Sequence, residues 1–165
     1  AQSQPGVGST FWFTACLAKR TGQEEMHAPK GVDEIERHLR ERHAGCRVLL
    51  VEDDPVSLEV AQVFLGSTGL SVETAVDGVQ AISKAGESTY ALVITDMQMP
   101  NMDGLETARQ LRRLPGYAKT PILAMTANAF DEDRARCIEA GMDDFVIKPF
   151  EPARLLECVL KWLDN

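Results

Sequence analysis

A small set of polar side chains stands at or directly after the apolar runs of this chain, and their types suit metal and phosphate chemistry. These residues are Glu52, Asp53, Asp96, Thr126 and Lys148. Carboxylates that lie within a few ångströms of one another cannot all stay ionised unless a cation joins them. Oxygen ligands with no nearby histidine favour a hard cation, above all Mg²⁺. A lysine and a hydroxyl at the same place suit an anion on that cation, such as a phosphoryl group.

The apolar runs predict five strands, because short continuous apolar stretches are typical of strands buried on both faces. They are Val48–Val51, Ser71–Val76, Ala91–Thr95, Pro121–Thr126 and Phe145–Ile147. Helical patterns follow them and begin at Pro55, Val79, Gly104, Phe130 and Pro152, with Asp77-Gly78 predicted as a turn. This alternation predicts an α/β fold, a five-stranded parallel doubly wound sheet with five helices. Ligands of such sheets bind beyond the carboxyl ends of the strands, where the polar residues would converge.

Residues 47–165 resemble the receiver domain of two-component response regulators along their whole length. The matching segments are Val51–Pro55, Asp96–Gly104, Thr126–Asn128 and Lys148–Phe150. Each segment alone is a weak signal, but together they occur in the family's order and at the ends of predicted strands. The resemblance implies a flavodoxin-like sheet with strand order 2-1-3-4-5.

The resemblance also implies a phosphoryl acceptor and a metal site. Asp96 would accept a phosphoryl group from a phosphohistidine, with Mg²⁺ as the cofactor. Asp53 and Asp96 would ligate the metal directly, Glu52 through a bound water, and Gln98 through its backbone carbonyl. Asp54 falls at a variable position of the family and is left out of the site.

Three further residues would respond to phosphorylation by the same resemblance. Thr126 would hydrogen-bond the phosphoryl group. Lys148 would pair with the carboxylate at rest and with the phosphoryl oxygen afterwards. Phe145 stands at the position of the switch aromatic, and the Lys148–Pro149 bond is expected to be cis.

The first 45 residues differ in character from the rest. They carry six basic and six acidic side chains, so the net charge of −8 belongs to residues 46–165. Gly6–Thr14 is similar to the last glycine box and final strand of the ATP-binding domain of histidine kinases. We therefore divide the chain into a kinase remnant at 1–20 that does not bind ATP, a linker at 21–45 and a receiver at 46–165. The order of these parts matches a hybrid sensor kinase.

The linker is expected to be loosely attached, together with the remnant that precedes it. Residues 1–20 predict a turn that leads into one short strand. A helical stretch at Val32–His43 has only a narrow apolar stripe, formed by Val32, Ile35 and Leu39, which would bury little surface. The three histidines, His27, His38 and His43, are interpreted as solvated linker residues.

The overall charge and the cysteines limit the partners and the compartment. A net charge of −8 argues against affinity for nucleic acid or anionic membranes. Four scattered cysteines favour a reduced, cytoplasmic location, although the parent chain could be anchored in a membrane. The expected partners are a histidine kinase domain, in cis or in trans, and a histidine phosphotransfer protein. The chain begins at Ala1 and ends just after the last predicted helix, which favours a relay within a longer kinase over a transcription factor.

Two alternatives from other classes stay open. A Mg²⁺-dependent aspartyl-phosphate phosphohydrolase also uses an aspartate at a strand end, but it usually needs a second acid two residues later, where this chain has Gln98. A purely structural α/β module would leave the carboxylates at the strand ends without a role. The resemblance to receivers implies a phosphorylated switch rather than a turnover enzyme, although the parent chain is expected to be a kinase.

Overall fold

The computed structural model describes residues 2–4, 8–10, 31–127 and 131–165. In chain order the strands are β1 (Gln2–Gln4), β2 (Gly8–Thr10), β3 (Arg47–Val51), β4 (Ser71–Ala75), β5 (Leu92–Asp96), β6 (Ile122–Thr126) and β7 (Asp144–Ile147). The helices are α1 (Val32–Arg42), α2 (Pro55–Gly66), α3 (Gly78–Glu87), α4 (Gly104–Arg113), α5 (Asp131–Glu139) and α6 (Pro152–Leu163).

The five longer strands form one parallel sheet in the order β4-β3-β5-β6-β7. Numbered within the sheet, this order is 2-1-3-4-5, which confirms the predicted topology. Val51 pairs with Thr95 in β5, and Asp96 pairs with Met125 in β6. The register therefore brings the residues at the ends of the three central strands to one edge.

Alternate residues of the buried strands point into two separate cores, as expected for a sheet covered on both faces. One core packs β-strand residues such as Leu49 and Val93 against α3, α4 and α5. The other packs Leu50 and Ile94 against α1, α2 and α6. Each strand thus presents one row of side chains to each helical layer, which holds the sheet edge in a fixed position.

Three aspartates begin the helices that follow β3, β4 and β5. Asp54, Asp77 and Asp103 each accept a hydrogen bond from the backbone N–H three residues later, at 2.8 Å. An aspartate at this position satisfies a backbone donor that has no partner inside the helix. The prediction of a turn at Asp77-Gly78 is wrong for this reason: Asp77 caps α3, and Gly78 is already helical.

The described part of the N-terminal zone is a small antiparallel hairpin. Its strands are β1 and β2, which pair from Gln2 with Thr10 to Gln4 with Gly8. The sequence predicted a turn where β2 lies, so that part of the prediction is wrong. The aromatic strand expected at 11–14 and most of the remnant lie outside the described residues, as do His27 and Asn128.

The helical part of the predicted linker, α1, packs against the receiver body. Val32 is 3% exposed and Leu39 is fully buried, and both belong to the core formed with α2 and α6. The expectation that this stripe buries little and is loosely attached is therefore wrong for 32–42. The stripe is narrow, but its buried residues join an apolar core to which α2 and α6 also contribute.

The interpretation of His38 and His43 as solvated linker residues is also wrong. The His43 side chain is only 13% exposed, and its Nε2 lies 2.9 Å from Asp164 Oδ1 just after α6. His38 Nε2 lies 3.6 Å from the other oxygen of Asp164. This contact joins residues far apart in the sequence, so neither histidine is simply solvated.

Among the described residues, no helix has the length and apolar character needed to span a membrane.

Shortening Leu39 to alanine is expected to lower the free energy of unfolding by about 2–5 kcal/mol, since it leaves a cavity in a fully buried position. Urea denaturation of the whole chain measures this loss. Glu41→Ala, on the exposed side of the same helix, is the control and should change stability by less than about 0.5 kcal/mol. A loss for Leu39→Ala no larger than the control would show that α1 is not docked in solution.

Candidate functional site

Three carboxylates converge at the carboxyl edge of the sheet. Glu52 and Asp53 follow β3, Asp96 ends β5, and one oxygen from each lies within 4.8 Å of the others. Glu52 is 1% exposed and Asp96 is 9% exposed, whereas Asp53 faces solvent. This arrangement concentrates negative charge in a partly buried place, where it requires a counter-charge.

The counter-charge in this structure is Lys148, which follows β7. Its Nζ lies 2.5 Å from Glu52 Oε2 and 2.9 Å from Asp96 Oδ2. The Lys148–Pro149 peptide bond is cis, as expected, and the Lys148 backbone N–H donates to the carbonyl oxygen of Thr126 at 2.7 Å. The lysine is thereby held between the ends of β3 and β5.

The pKa values of this group reflect burial and pairing together. Burial raises the pKa of Glu52, and the charge of Asp96 adds to that, while the hydrogen bond from Lys148 acts in the opposite direction. Burial lowers the pKa of Lys148, but the hydrogen bonds to Glu52 and Asp96 outweigh it, and the pKa is raised. The lysine therefore stays charged, and its charge is needed by the two acids beside it.

The carboxylates open into a cleft of about 650 Å³. Its lining includes Asp53, Asp96, Gln98, Thr126 and Lys148. Thr126 is 8% exposed at the end of β6. The structure therefore brings five of the seven residues predicted for the site into one cleft, with Glu52 buried beside it.

Phe145 lies next to the cleft rather than in its lining. It packs partly buried against the core of α3, α4 and α5, and the guanidinium of Arg134 lies 5.5 Å from the centre of its ring. The ring is thus held between the core and a surface arginine.

A glycine after the cap of α4 lets this helix approach the end of β5 closely. A Cβ added at Gly104 would lie 2.2 Å from the backbone oxygen of Asp96. The Gly104 N–H donates to Met97 O at 3.1 Å, which holds α4 against the end of β5. The close approach of α4 to β5 thus explains why a glycine follows Asp103, which the sequence alone did not indicate.

Replacing Gly104 by alanine is expected to destabilise the chain by about 3 kcal/mol, because the new methyl group must push the end of β5 aside. Thermal unfolding measures this directly. Gly86→Ala is the matched control: nothing lies within 4 Å of its Cβ, and alanine is the better helix former by about 1 kcal/mol, so this change should stabilise. Equal effects of the two substitutions would contradict the close approach.

Two features of the cleft were missed by reasoning from the sequence. Arg136 of α5 also lines the cleft, although nothing in its sequence context marked it. Asp54, which was left out of the site, caps α2 through the Ser57 N–H. A capping signal could have been recognised, because Asp54 directly precedes a proline at the first position of a helix.

The donor set of the cleft fits a hard divalent cation. Glu52, Asp53 and Asp96 offer carboxylate oxygens close enough to ligate one ion. Mg²⁺ is bound in proteins by one or two carboxylates together with water and phosphate oxygens. This group of residues could therefore hold a metal ion, and Asp53, the exposed member, faces the cleft from which the ion would enter.

The fold and this cleft together define a doubly wound α/β domain with a cluster of carboxylates at the carboxyl ends of its central strands. Residues 48–160 match the model of the response regulator receiver domain. The chain belongs to this family, and it is a receiver domain of two-component systems.

Relatives and solved structures agree with this assignment. The chain is 34% identical over 167 residues to the aerobic respiration control sensor protein ArcB of Escherichia coli, which covers 99% of this chain and 20% of that protein. It is 34% identical over 125 residues to hybrid signal transduction histidine kinase L of Dictyostelium discoideum, covering 72% of this chain and 7% of that protein. The chain thus spans a small part of these curated relatives.

A solved structure adds a metal to the comparison. The receiver domain of sensor histidine kinase PA1611 from Pseudomonas aeruginosa is 38% identical, with a TM-score of 0.70, and the match covers 74% of this chain and all of that one. That structure has a magnesium ion coordinated in its active site cleft. The chemotaxis response regulator CheY4 of Vibrio cholerae is 31% identical with a TM-score of 0.70, over 72% of this chain and 99% of that one.

Proposed function

We propose that this receiver accepts a phosphoryl group from a phosphohistidine onto Asp96 and changes conformation in response. The observation that carries the proposal is the convergence of Glu52, Asp53 and Asp96 on one edge, with Lys148 bridging two of them. Asp96 is the acid that both ends a buried central strand and lines the open cleft. It is therefore placed to meet an incoming phosphoryl donor.

In the proposed reaction an oxygen of Asp96 attacks the phosphorus atom as the phosphorus–nitrogen bond of the phosphohistidine breaks. The bonding electrons leave with the imidazole, and Asp96 becomes an acyl phosphate. Lys148 shifts from the carboxylate to an oxygen of the transferred group, and the Thr126 hydroxyl donates to another. These residues hold the group by charge and direction rather than by covalent chemistry.

The metal belongs to the same proposal. Asp53 and Asp96 would ligate Mg²⁺ directly, Glu52 would contribute through a bound water, and Gln98 would offer its backbone carbonyl. When bound, Mg²⁺ supplies positive charge that neutralises the charge developing on the phosphoryl oxygens. The carboxylates of this chain are grouped for that purpose, and the solved magnesium-containing receiver supports the choice of ion.

The proposed switch depends on the positions of the buried Thr126 and the partly buried Phe145. If Thr126 is drawn toward the phosphoryl group, it vacates space at the end of β6 that Phe145 of the neighbouring strand can fill. The surface formed by β6, α5 and β7 then changes. A single added charge thereby biases an element with two arrangements.

We further propose that this receiver works within a hybrid histidine kinase in the cytoplasm. ArcB, a sensor protein, matches this chain over 99% of its residues, which supports a kinase origin for residues 1–20 and a connecting role for 21–45. The proposed partners are a histidine kinase domain, in cis or in trans, and a histidine phosphotransfer protein.

Incubation with Mg²⁺ and acetyl phosphate, followed by intact mass, tests this function. We expect one phosphoryl group per chain, bound as an acyl phosphate that hydroxylamine removes. The phosphohydrolase alternative predicts instead many turnovers of a stable phosphate ester such as p-nitrophenyl phosphate, without dependence on an acyl phosphate donor. Such turnover, or the absence of any labelled chain, would contradict the receiver function.

A further inference from the structure

Two helices begin beside the cleft and end on the far side of the domain. α2 follows directly after Glu52, Asp53 and Asp54, and α6 follows Lys148–Phe150. Each contains 12 residues, which corresponds to about 18 Å along the helix axis. Because a helix moves as a rigid rod, a displacement at the cleft is carried to its distant end.

The distant ends of both helices are held by α1. The carbonyl oxygen of Ser67, the residue directly after α2, accepts from Arg40 Nη2 at 2.5 Å, and the Ser67 hydroxyl lies 2.8 Å from Glu36 Oε1. Asp164, the residue directly after α6, lies 2.9 Å from the ring nitrogen of His43. A cation on the last carbonyls of a helix satisfies acceptors that have no partner inside it.

Apolar packing holds α1 in place in addition to these polar contacts. The buried side chains of Val32 and Leu39 belong to the core that also contains Leu65 of α2 and Leu156 of α6. Apolar packing and terminal hydrogen bonds therefore act on the same short helix. The position of α1 therefore depends on where α2 and α6 end relative to each other, because α1 contacts both ends.

An aromatic pair connects this region with the lysine of the cleft. Phe150, two residues after Lys148, packs edge-on against Phe64 of α2, with ring centres 6.5 Å apart and planes at 76°. Phe64 lies three residues before Ser67, and its carbonyl oxygen lies 2.8 Å from the Ser67 hydroxyl, which can donate its one proton either there or to Glu36. A continuous path thus runs from Lys148 through Phe150, Phe64 and Ser67 to α1.

We propose that this path is a second output of the receiver: movement of Lys148 onto a phosphoryl oxygen loosens the docking of α1. It rests on the proposed phosphorylation of Asp96, and it differs from the switch at Thr126 and Phe145, which acts on the opposite helical layer. α1 joins the receiver to the chain upstream. Phosphorylation would therefore affect the segment that precedes the domain, as well as partners that bind the surface of the domain.

Hydrogen exchange of the full chain, with and without Mg²⁺ and acetyl phosphate, tests the inference, and intact mass of the same samples gives the extent of phosphorylation. The amides of 36–42 should exchange about fivefold faster or more in the phosphorylated chain, which is a common size of coupling between sites. Asp96→Asn should abolish this change. Phe64→Leu should be phosphorylated to the same extent and should lose most of the response in α1.

Phe145→Leu is the matched control, because it makes the same substitution on the other route and should leave the response of α1 in place. Phosphorylated wild-type chain with unchanged or slower exchange in α1 would overturn the inference while leaving the proposed function intact. A full response in Phe64→Leu would overturn the path through the aromatic pair. Absence of a phosphoryl group in the mass would overturn the proposed function, and the inference with it.

Discussion

Replacing Lys148 by methionine is expected to destabilise the metal-free chain by about 3–5 kcal/mol at neutral pH, the usual cost of leaving a buried charge without its partner. Glu52 is 1% exposed and has Lys148 as its ion-pair partner at 2.5 Å, so the substitution leaves its carboxylate inside the protein without compensation. Chemical denaturation in the presence of EDTA measures the loss.

Lys161→Met is the control for this substitution. Lys161 also forms a short ion pair, with Asp144 at 2.6 Å, but its side chain is 59% exposed and the pair is screened by water. An exposed pair contributes less than about 1 kcal/mol. Similar losses for the two lysines would show that the charge of Glu52 is not buried as described.

The Lys148→Met variant should also bind Mg²⁺ more tightly than wild type, since a positive charge 2.9 Å from Asp96 is removed. The metal then restores part of the lost stability. Weaker binding in the variant would mean that the lysine positions the carboxylates rather than competing with the cation. Titration calorimetry distinguishes these two results.

The second large effect is stabilisation by the metal itself. Glu52, Asp53 and Asp96 lie close together only in the folded chain, so we expect Mg²⁺ to bind and stabilise that state by mass action. With a dissociation constant of about 1 mM, roughly 10 mM Mg²⁺ contributes about 1.4 kcal/mol. For a chain of this size that is a rise of about 3–6 °C in melting temperature.

The substitution Asp53→Asn tests metal binding separately from the stability of the metal-free fold. Asp53 is exposed, so its replacement should raise the metal-free melting temperature slightly, by removing repulsion from Glu52 and Asp96, and should abolish most of the response to Mg²⁺. Asp143→Asn is not a suitable control because Asp143 accepts from Arg112. Glu41→Asn, on the exposed face of α1, removes the same charge elsewhere and should keep the full response. A full response in Asp53→Asn would show that the carboxylates are not the metal site.

Much of the fold could be predicted because the strands are buried on both faces. Runs such as Val48–Val51 and Ala91–Thr95 are recognisable without knowledge of their neighbours, and a parallel sheet then follows from the helices between them. The same reasoning placed Glu52 and Asp96 at one edge. The residues of the site were recognisable because strand ends converge in any fold of this type.

The prediction failed where an element depends on a partner far away in the sequence. The stripe of Val32 and Leu39 is too narrow to hold a helix alone, and only its packing into the core shared with α2 and α6 makes it a core element. His43 is partnered by Asp164, 121 residues later, which no local pattern could indicate. Gly104 likewise needs the backbone of Asp96 beside it to explain its lack of a side chain.

The most direct test of the central claim is to locate the phosphoryl group after incubation with Mg²⁺ and acetyl phosphate. We expect it on the peptide that contains Asp96, with complete loss in Asp96→Asn and retention in Asp103→Asn, whose side chain caps α4 and also lines the cleft. Stable labelling of Asp96→Asn, on a histidine or on another carboxylate, would contradict the assignment of Asp96 as the phosphoryl acceptor.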